Sequence, residues 1–292
     1  RIFTDDKTRG KLDKNGMMLS SANSINWGRL APQIAYYVSA YCDMVKSGAV
    51  KMGGKINICV PTGNFGNILA AYIAGKMGLP VNKFICASNR NNVLTDFFKK
   101  GGTYDKNRDF YTTSSPSMDI LISSNLERLL FFASDYDDKL VADLMDKLAQ
   151  GGSYQVAADV FAKIEKDFDA GCCDDTAAAQ TIKALWENEH YLCDTHTAVA
   201  VRVYEDYRAR TGDKTPTVIA STASPFKFCR SVIEALGGTL ERDDVSQLDV
   251  LTGLTGIPAP APLAALAGKT PRFDRVVDKA DILSTVSLLK DL

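Results

Sequence analysis

A short segment rich in glycine and asparagine lies between a run that predicts a strand, 56–60, and a run that predicts a helix, 68–74. Its members are Gly63, Asn64, Phe65, Gly66 and Asn67. Glycines here let the backbone approach an anion, and the N–H groups and dipole of the next helix favour phosphate. The spacing is neither a dinucleotide fingerprint nor a nucleotide-binding P-loop. The pattern favours a small phosphorylated ligand, and an ordinary strand-to-helix turn remains the alternative.

A second turn carries a hydroxyl at the end of another predicted strand. The strand spans 217–220, and Thr222 lies in the turn that follows it. A threonine hydroxyl can hydrogen-bond a neutral ring nitrogen, whereas a carboxylate would hold such a nitrogen protonated. We expect Ser224 to cap the helix that begins at Pro225, which is compatible with a ligand role for Thr222.

A third segment, 23–29, is dense in neutral hydrogen-bond donors and ends in a guanidinium. Asn23, Ser24 and Arg29 could together bind an anionic group through charge-assisted hydrogen bonds. Because asparagine and serine also commonly begin helices, this segment alone is a weak signal.

Two further polar residues have plainer interpretations. His196 lies at a predicted helix start, where capping or packing is expected ahead of acid–base work. Lys227 follows the Thr222 turn but falls within the next helix, so a surface position is expected.

The order of these segments predicts the architecture. Strand 56–60, its helix and strand 83–87 form a βαβ unit, and 217–220 with the helix after Pro225 form a second unit of the same kind. Such units predict an α/β fold with a parallel sheet, whose ligands bind at the carboxyl ends of the strands. Between them, apolar residues at helical spacing predict an acidic, helix-only insertion at about 135–189.

Composition excludes several classes of protein. The 292 residues carry 34 Lys+Arg and 35 Asp+Glu, and this lack of a basic excess argues against nucleic-acid and membrane-surface binding. Seven cysteines without C-x-x-C spacing fit reduced thiols in the cytoplasm. With two histidines, a histidine-rich metal centre is not expected. The uncharged stretches 56–75 and 250–268 contain asparagine or proline, so neither predicts a membrane span.

Six motifs occur in one order, and together they resemble threonine synthase of the bacterial and fungal type. The motifs are Asn23-Ser-Ile-Asn-Trp, Pro61-Thr-Gly-Asn-Phe-Gly-Asn, Ala87-Ser-Asn-Arg-Asn, Ser115-Pro-Ser-Met-Asp-Ile, Thr195-His-Thr-Ala and Ser221-Thr-Ala-Ser-Pro. The resemblance covers essentially the whole chain. It implies a tryptophan-synthase-β-like fold of the pyridoxal 5′-phosphate (PLP) enzymes of fold type II, with a helical insertion. It also implies conversion of O-phospho-L-homoserine and water to L-threonine and phosphate.

The resemblance gives each segment a role. The segment from Gly63 to Asn67 would hold the cofactor phosphate, Thr222 would face the pyridine nitrogen, and Asn23, Ser24 and Arg29 would bind the substrate's phosphate. The expected domains are a remainder of a small domain at 1–30 and a large PLP-binding domain at 31–134 and 191–292. The helical insertion would occupy 135–190.

One departure bears on activity. The lysine that the family joins to its cofactor, and the loop that binds the substrate carboxylate, lie upstream of every matched motif. We therefore expect no such catalytic lysine in this chain, which begins at Arg1, and we expect these residues alone to be inactive. The resemblance further suggests a cytoplasmic monomer. A threonine or serine dehydratase-like enzyme of the same fold and a non-catalytic phosphate-binding homologue remain the alternatives.

Overall fold

The protein is described by a computed structural model over residues 5–270 and 276–288. Its strands are β1 (Ile56–Pro61), β2 (Val81–Ser88), β3 (Thr103–Asp105), β4 (Ser153–Gln155), β5 (Phe168–Cys172) and β6 (Thr217–Ile219). Its helices are α1 (Asp6–Lys14), α2 (Trp27–Leu30), α3 (Ile34–Lys46), α4 (Gly66–Lys76), α5 (Val93–Lys99), α6 (Leu126–Ala133), α7 (Asp138–Gly151), α8 (Ala158–Asp167), α9 (Asp175–Glu189), α10 (Thr195–Thr211), α11 (Cys229–Ala235), α12 (Ser246–Thr255), α13 (Ala261–Ala264) and α14 (Ile282–Leu288). Within these residues, four 3₁₀ turns occupy Ala31–Gln33, Pro116–Met118, Pro225–Lys227 and Lys279–Asp281.

Four strands form a parallel sheet in the order β5-β2-β1-β6. The predicted α/β fold with a parallel sheet is confirmed. All six residues of β1 are buried, as expected for a central parallel strand covered on both faces. Successive residues point to opposite faces, so Ile58 joins the apolar cluster that contains α4, and Cys59 joins the cluster that contains α10.

The region predicted to be an entirely helical insertion is not entirely helical, and that expectation is wrong. Its residues Phe168–Cys172 form strand β5, which pairs with β2 at the edge of the main sheet, and β4 pairs antiparallel with β3. Aspartate, alanine and glycine follow Phe168, so no run of β-branched residues marks the strand. Phe168 holds the strand in place, because its ring packs against those of Phe84 and Phe98. The ring centroids are 5.2 Å and 5.3 Å apart, respectively. The domain limits given above stay predictions.

The sheet brings two of the predicted turns together. Strands β1 and β6 are neighbours and run parallel, so the turn after β1 and the turn after β6 leave the same edge of the sheet. Helix α3 packs beside α4 through Tyr37 and Tyr41, whereas Val38 on the same helix is exposed. Among the described helices, none is long and apolar enough to cross a membrane.

Candidate active site

The turn between β1 and α4 opens onto a cavity of about 790 Å³. Helix α4 begins after Phe65, which has a left-handed backbone with φ of 63°, and no described side chain caps its first turn. The first N–H groups of a helix have no partner within the helix, so an uncapped start can bind an anion. The residues predicted to hold a phosphate, Gly63, Asn64, Phe65, Gly66 and Asn67, all line this cavity.

Both glycines of this cradle, the segment from Gly63 to Asn67, are in very close contact with other parts of the chain. A Cβ on Gly63 would lie 2.6 Å from the carbonyl oxygen of Ser117. A Cβ on Gly66 would lie 2.4 Å from the Cβ of Ser24 and 2.5 Å from its Oγ. The glycines are therefore required by protein neighbours as well as by any anion, which the sequence alone does not show.

Tyr37 orients one asparagine of the cradle. Its hydroxyl donates to Oδ1 of Asn67, so the amide nitrogen of Asn67 keeps its donors available. Burial raises the pKa of Tyr37 well above its ordinary value, which keeps the phenol protonated as a donor. The hydroxyl contact of Tyr37 spans thirty residues of sequence, so no local pattern marks this role.

The turn after β6, which carries the second predicted element, also lines this cavity. Thr222 lines the same cavity as the cradle, and within the described part of the chain its hydroxyl has no hydrogen-bond partner. Ser224 accepts a hydrogen bond from the N–H of Phe226, which confirms its predicted capping role. Lys227 is exposed as expected, yet it also lines the cavity.

The segment 23–29 is only partly in the cavity. Ser24 and Arg29 line it, but Asn23 does not. The Oδ1 atom of Asn23 accepts hydrogen bonds from the N–H of Ile25 and from the Oγ of Ser24, both at 3.2 Å. The side chain of Asn23 therefore shapes the local turn, and Arg29 donates to the carbonyl of Ala22.

The charge of the cavity is positive. Arg29 and Lys227 are the charged side chains that line it, and no aspartate or glutamate among the described residues joins them. A cavity with two cations and many neutral donors favours an anionic ligand. The described residues hold no cluster of three metal-ligating side chains.

His196 lines the cavity with both ring nitrogens bonded to protein. Its Nδ1 lies 2.9 Å from Oδ1 of Asp194, and its Nε2 accepts from the N–H of Ser117 at 3.2 Å. Burial alone would raise the pKa of Asp194, but hydrogen bonds from His196 and Thr197 outweigh it and lower the pKa. Asp194 caps α10, and His196 holds the chain near Ser117 against the cradle.

The chain is similar in sequence to threonine synthases. A family model described as the C-terminal part of threonine synthase matches residues 197–286. The chain is 43% identical to human threonine synthase-like 1 over 261 residues and 39% identical to threonine synthase of Saccharomyces cerevisiae over 251 residues. In sequence, the chain therefore matches the C-terminal part of threonine synthases.

A solved structure extends the likeness to the fold. The PLP-bound threonine synthase from Brucella melitensis superposes with a TM-score of 0.80 at 33% identity, and the match covers 98% of this chain and 55% of that one. The sequence matches cover 88% and 81% of this chain but 35% of the human relative and 47% of the yeast relative. The chain thus spans about a third to a half of the length of these threonine synthase relatives.

Proposed function

We propose that this chain forms the phosphate-binding part of a PLP-dependent threonine synthase, which converts O-phospho-L-homoserine and water to L-threonine and phosphate. One observation carries the proposal. Among the described residues, the start of α4 has no side-chain cap and the Thr222 hydroxyl has no hydrogen-bond partner, and both line one cavity whose charged groups are cations. Similarity to threonine synthases supports the reaction, and the cavity supports the type of ligand.

The residues of the cavity fit PLP. The N–H groups at the start of α4 and the amide of Asn67 would hold its phosphate, and the Thr222 hydroxyl would donate to its ring nitrogen. A hydroxyl leaves that nitrogen neutral because it offers no negative charge to stabilise a pyridinium. When bound, the cofactor would supply the electron-withdrawing ring that stabilises negative charge on the substrate carbons.

The substrate's phosphate would bind beside the cradle. Ser24 and Arg29 line the cavity, and a guanidinium makes strong charge-assisted hydrogen bonds to phosphate oxygens. The positive charge of Arg29 and the hydroxyl of Ser24 would together bind the phosphate that the reaction releases.

We further propose that these 292 residues alone do not catalyse the reaction. Lys227 is the one lysine among the described residues that line the cavity. Lys227 lies in the 3₁₀ turn that follows Thr222, and in the family that the chain resembles, the lysine joined to the cofactor lies upstream of every matched motif. Lys227 is therefore not expected to supply the amine that the reaction requires.

Two measurements test these proposals. Binding of PLP to the chain is followed by its absorbance and by equilibrium dialysis, with Thr222→Val expected to weaken binding. Phosphate release from O-phospho-L-homoserine should be absent for the chain alone, and sustained release would overturn its proposed inactivity.

In the longer protein, turnover of threonine but not of phosphohomoserine would favour the dehydratase-like alternative. Binding of phosphate without turnover of either would favour a non-catalytic homologue.

The assembly state and the compartment stay predictions. A monomer is tested by light scattering of the purified chain, and a cytoplasmic location by microscopy of the tagged protein. Neither result bears on the chemistry of the cavity.

A further inference from the structure

One buried side chain joins the cradle to the segment that carries Ser24. Asn125 is fully buried, and its Nδ2 donates to Oγ of Ser24 at 3.0 Å and to the carbonyl of Asn64 at 2.8 Å. Its backbone N–H donates to the same carbonyl at 3.1 Å. Asn125 precedes α6, yet its side chain makes no capping bond there. Its amide is used across more than sixty residues of sequence instead of locally.

Arg128 fixes the direction of that amide. Its Nη1 donates to Oδ1 of Asn125 at 2.8 Å, and its Nη2 donates to the carbonyl of Ile25 at 2.7 Å. Because a guanidinium can only donate, Oδ1 of Asn125 must face it, and the amide nitrogen must then face Ser24 and Asn64. Arg128 thus holds both Asn125 and the segment around Ser24.

The hydroxyl of Ser24 has one bond that it can exchange. Its oxygen accepts from Asn125, and its proton goes to Oδ1 of Asn23 at 3.2 Å. A hydroxyl hydrogen rotates about its C–O bond, so the proton can turn from Asn23 to an anion while the bond from Asn125 persists. Ser24 also lies against Gly66, so an anion bound there would be next to the cradle.

We propose that Asn125 is a positioning residue, which holds the Ser24 oxygen against Gly66 so that the hydroxyl can donate to a phosphate. In this way one amide couples the segment 23–29 to the cradle. The inference deepens the proposed function and rests on it, since it requires that the cavity bind phosphate groups.

A double-mutant cycle tests the coupling, with inorganic phosphate as the probe and isothermal titration calorimetry of the full chain as the readout. Ser24→Ala and Asn125→Ala should each weaken phosphate binding about five-fold, the size of one hydrogen bond. In the Ser24→Ala background, Asn125→Ala should weaken it little further, because residues that act through one contact are not additive. A purely structural role for Asn125 would instead lower affinity equally in both backgrounds.

Arg128→Met serves where Asn125→Ala does not fold, as judged by circular dichroism and urea unfolding. It removes the donors that direct the amide, and its effect on affinity should also vanish in the Ser24→Ala background. Asn82→Ala is the matched control, because Asn82 also donates its amide twice, to Asn57 at 2.9 Å and to Asp213 at 3.3 Å. It should leave phosphate affinity unchanged.

Different results would overturn the positioning role of Asn125 and the binding of phosphate by the cavity. Additive losses for Ser24 and Asn125, or a loss with Ser24→Ala alone, overturn the positioning role while phosphate binding itself stands. If the unchanged chain does not bind phosphate at millimolar concentration, the phosphate-binding function and the positioning role are both overturned.

Discussion

The two edges of the parallel sheet use the same kinds of residue in opposite ways. At the carboxyl edge, the cavity edge, the donors at the start of α4 and at Thr222 have no side-chain partner within the described part of the chain. At the amino edge, the closed edge, the carboxylate of Asp213 accepts from Asn57 at 2.9 Å and from Tyr207 at 2.7 Å. Polar groups that satisfy one another stabilise the fold, whereas groups left without partners can bind a ligand.

Tyrosine shows the same contrast. At the closed edge, burial and the Asp213 carboxylate raise the pKa of Tyr207, whose proton serves only to bond that carboxylate. At the cavity edge, the buried Tyr37 hydroxyl turns the amide of Asn67, so its contact has a consequence for a ligand. Substitutions at the two edges should therefore separate stability from binding.

The largest effect on binding is expected from Gly63→Ala at the cavity edge. The new Cβ would meet the Ser117 carbonyl at 2.6 Å, so backbone must move and the cradle must open. Phosphate affinity measured by calorimetry should fall by more than about ten-fold, since several N–H donors shift together. Gly253→Ala is the control, because Gly253 lies within α12 with nothing within 4 Å of its Cβ, and it should raise stability slightly. Unchanged affinity in Gly63→Ala would mean that the cradle does not bind phosphate.

At the closed edge, Asp213→Asn should lower stability without changing affinity. Hydrogen bonds from Thr215, Tyr207 and Asn57 outweigh burial and hold the pKa of Asp213 below its ordinary value. We expect a loss of roughly 1–2 kcal/mol in the free energy of unfolding at pH 7, discounted because the group is partly exposed. A change in phosphate affinity would contradict the separation of the two edges.

The pH dependence of that effect has a definite sign. A carboxyl whose folded pKa is depressed stabilises the fold above its unfolded value, near 3.9, and loses that contribution as pH falls toward the folded value. Lowering the pH from 7 to 3 should therefore reduce the free energy of unfolding, measured with urea, more in the unchanged protein than in Asp213→Asn. Asp43→Asn, at an exposed ion pair, should not alter the profile.

The smallest expected effect is that of Tyr37→Phe, which removes one hydroxyl. Phosphate affinity should fall about three-fold, because Asn67 loses the bond that directs its amide. Tyr41→Phe is matched on the same helix, since its hydroxyl bonds only the backbone of Gly53 and Gly54. Tyr41→Phe should lower stability to a similar extent and leave affinity unchanged, and equal losses of affinity would refute the comparison.

Much of the cavity edge could be predicted because its signals are local. The strand before Gly63, the turn after it and the helix that follows are consecutive, and the same holds for Thr222 and Ser224. What could not be predicted involves partners far apart in sequence. Asn125 donates to Ser24 across 101 residues of sequence, and β5, in the region predicted to be entirely helical, forms where it pairs with β2.

By itself, the sequence predicted the parallel α/β fold and the resemblance to threonine synthases, and it proposed the phosphate cradle, because each depends on local spacing and motif order. Only the tertiary structure decided that Asn23 does not line the cavity, that Tyr37 bonds Asn67 and His196 bonds Ser117, and that Asn125 bonds Ser24 beside the cradle. The physical reason is that a hydrogen bond forms wherever folding brings donor and acceptor within about 3 Å, whatever their separation along the chain.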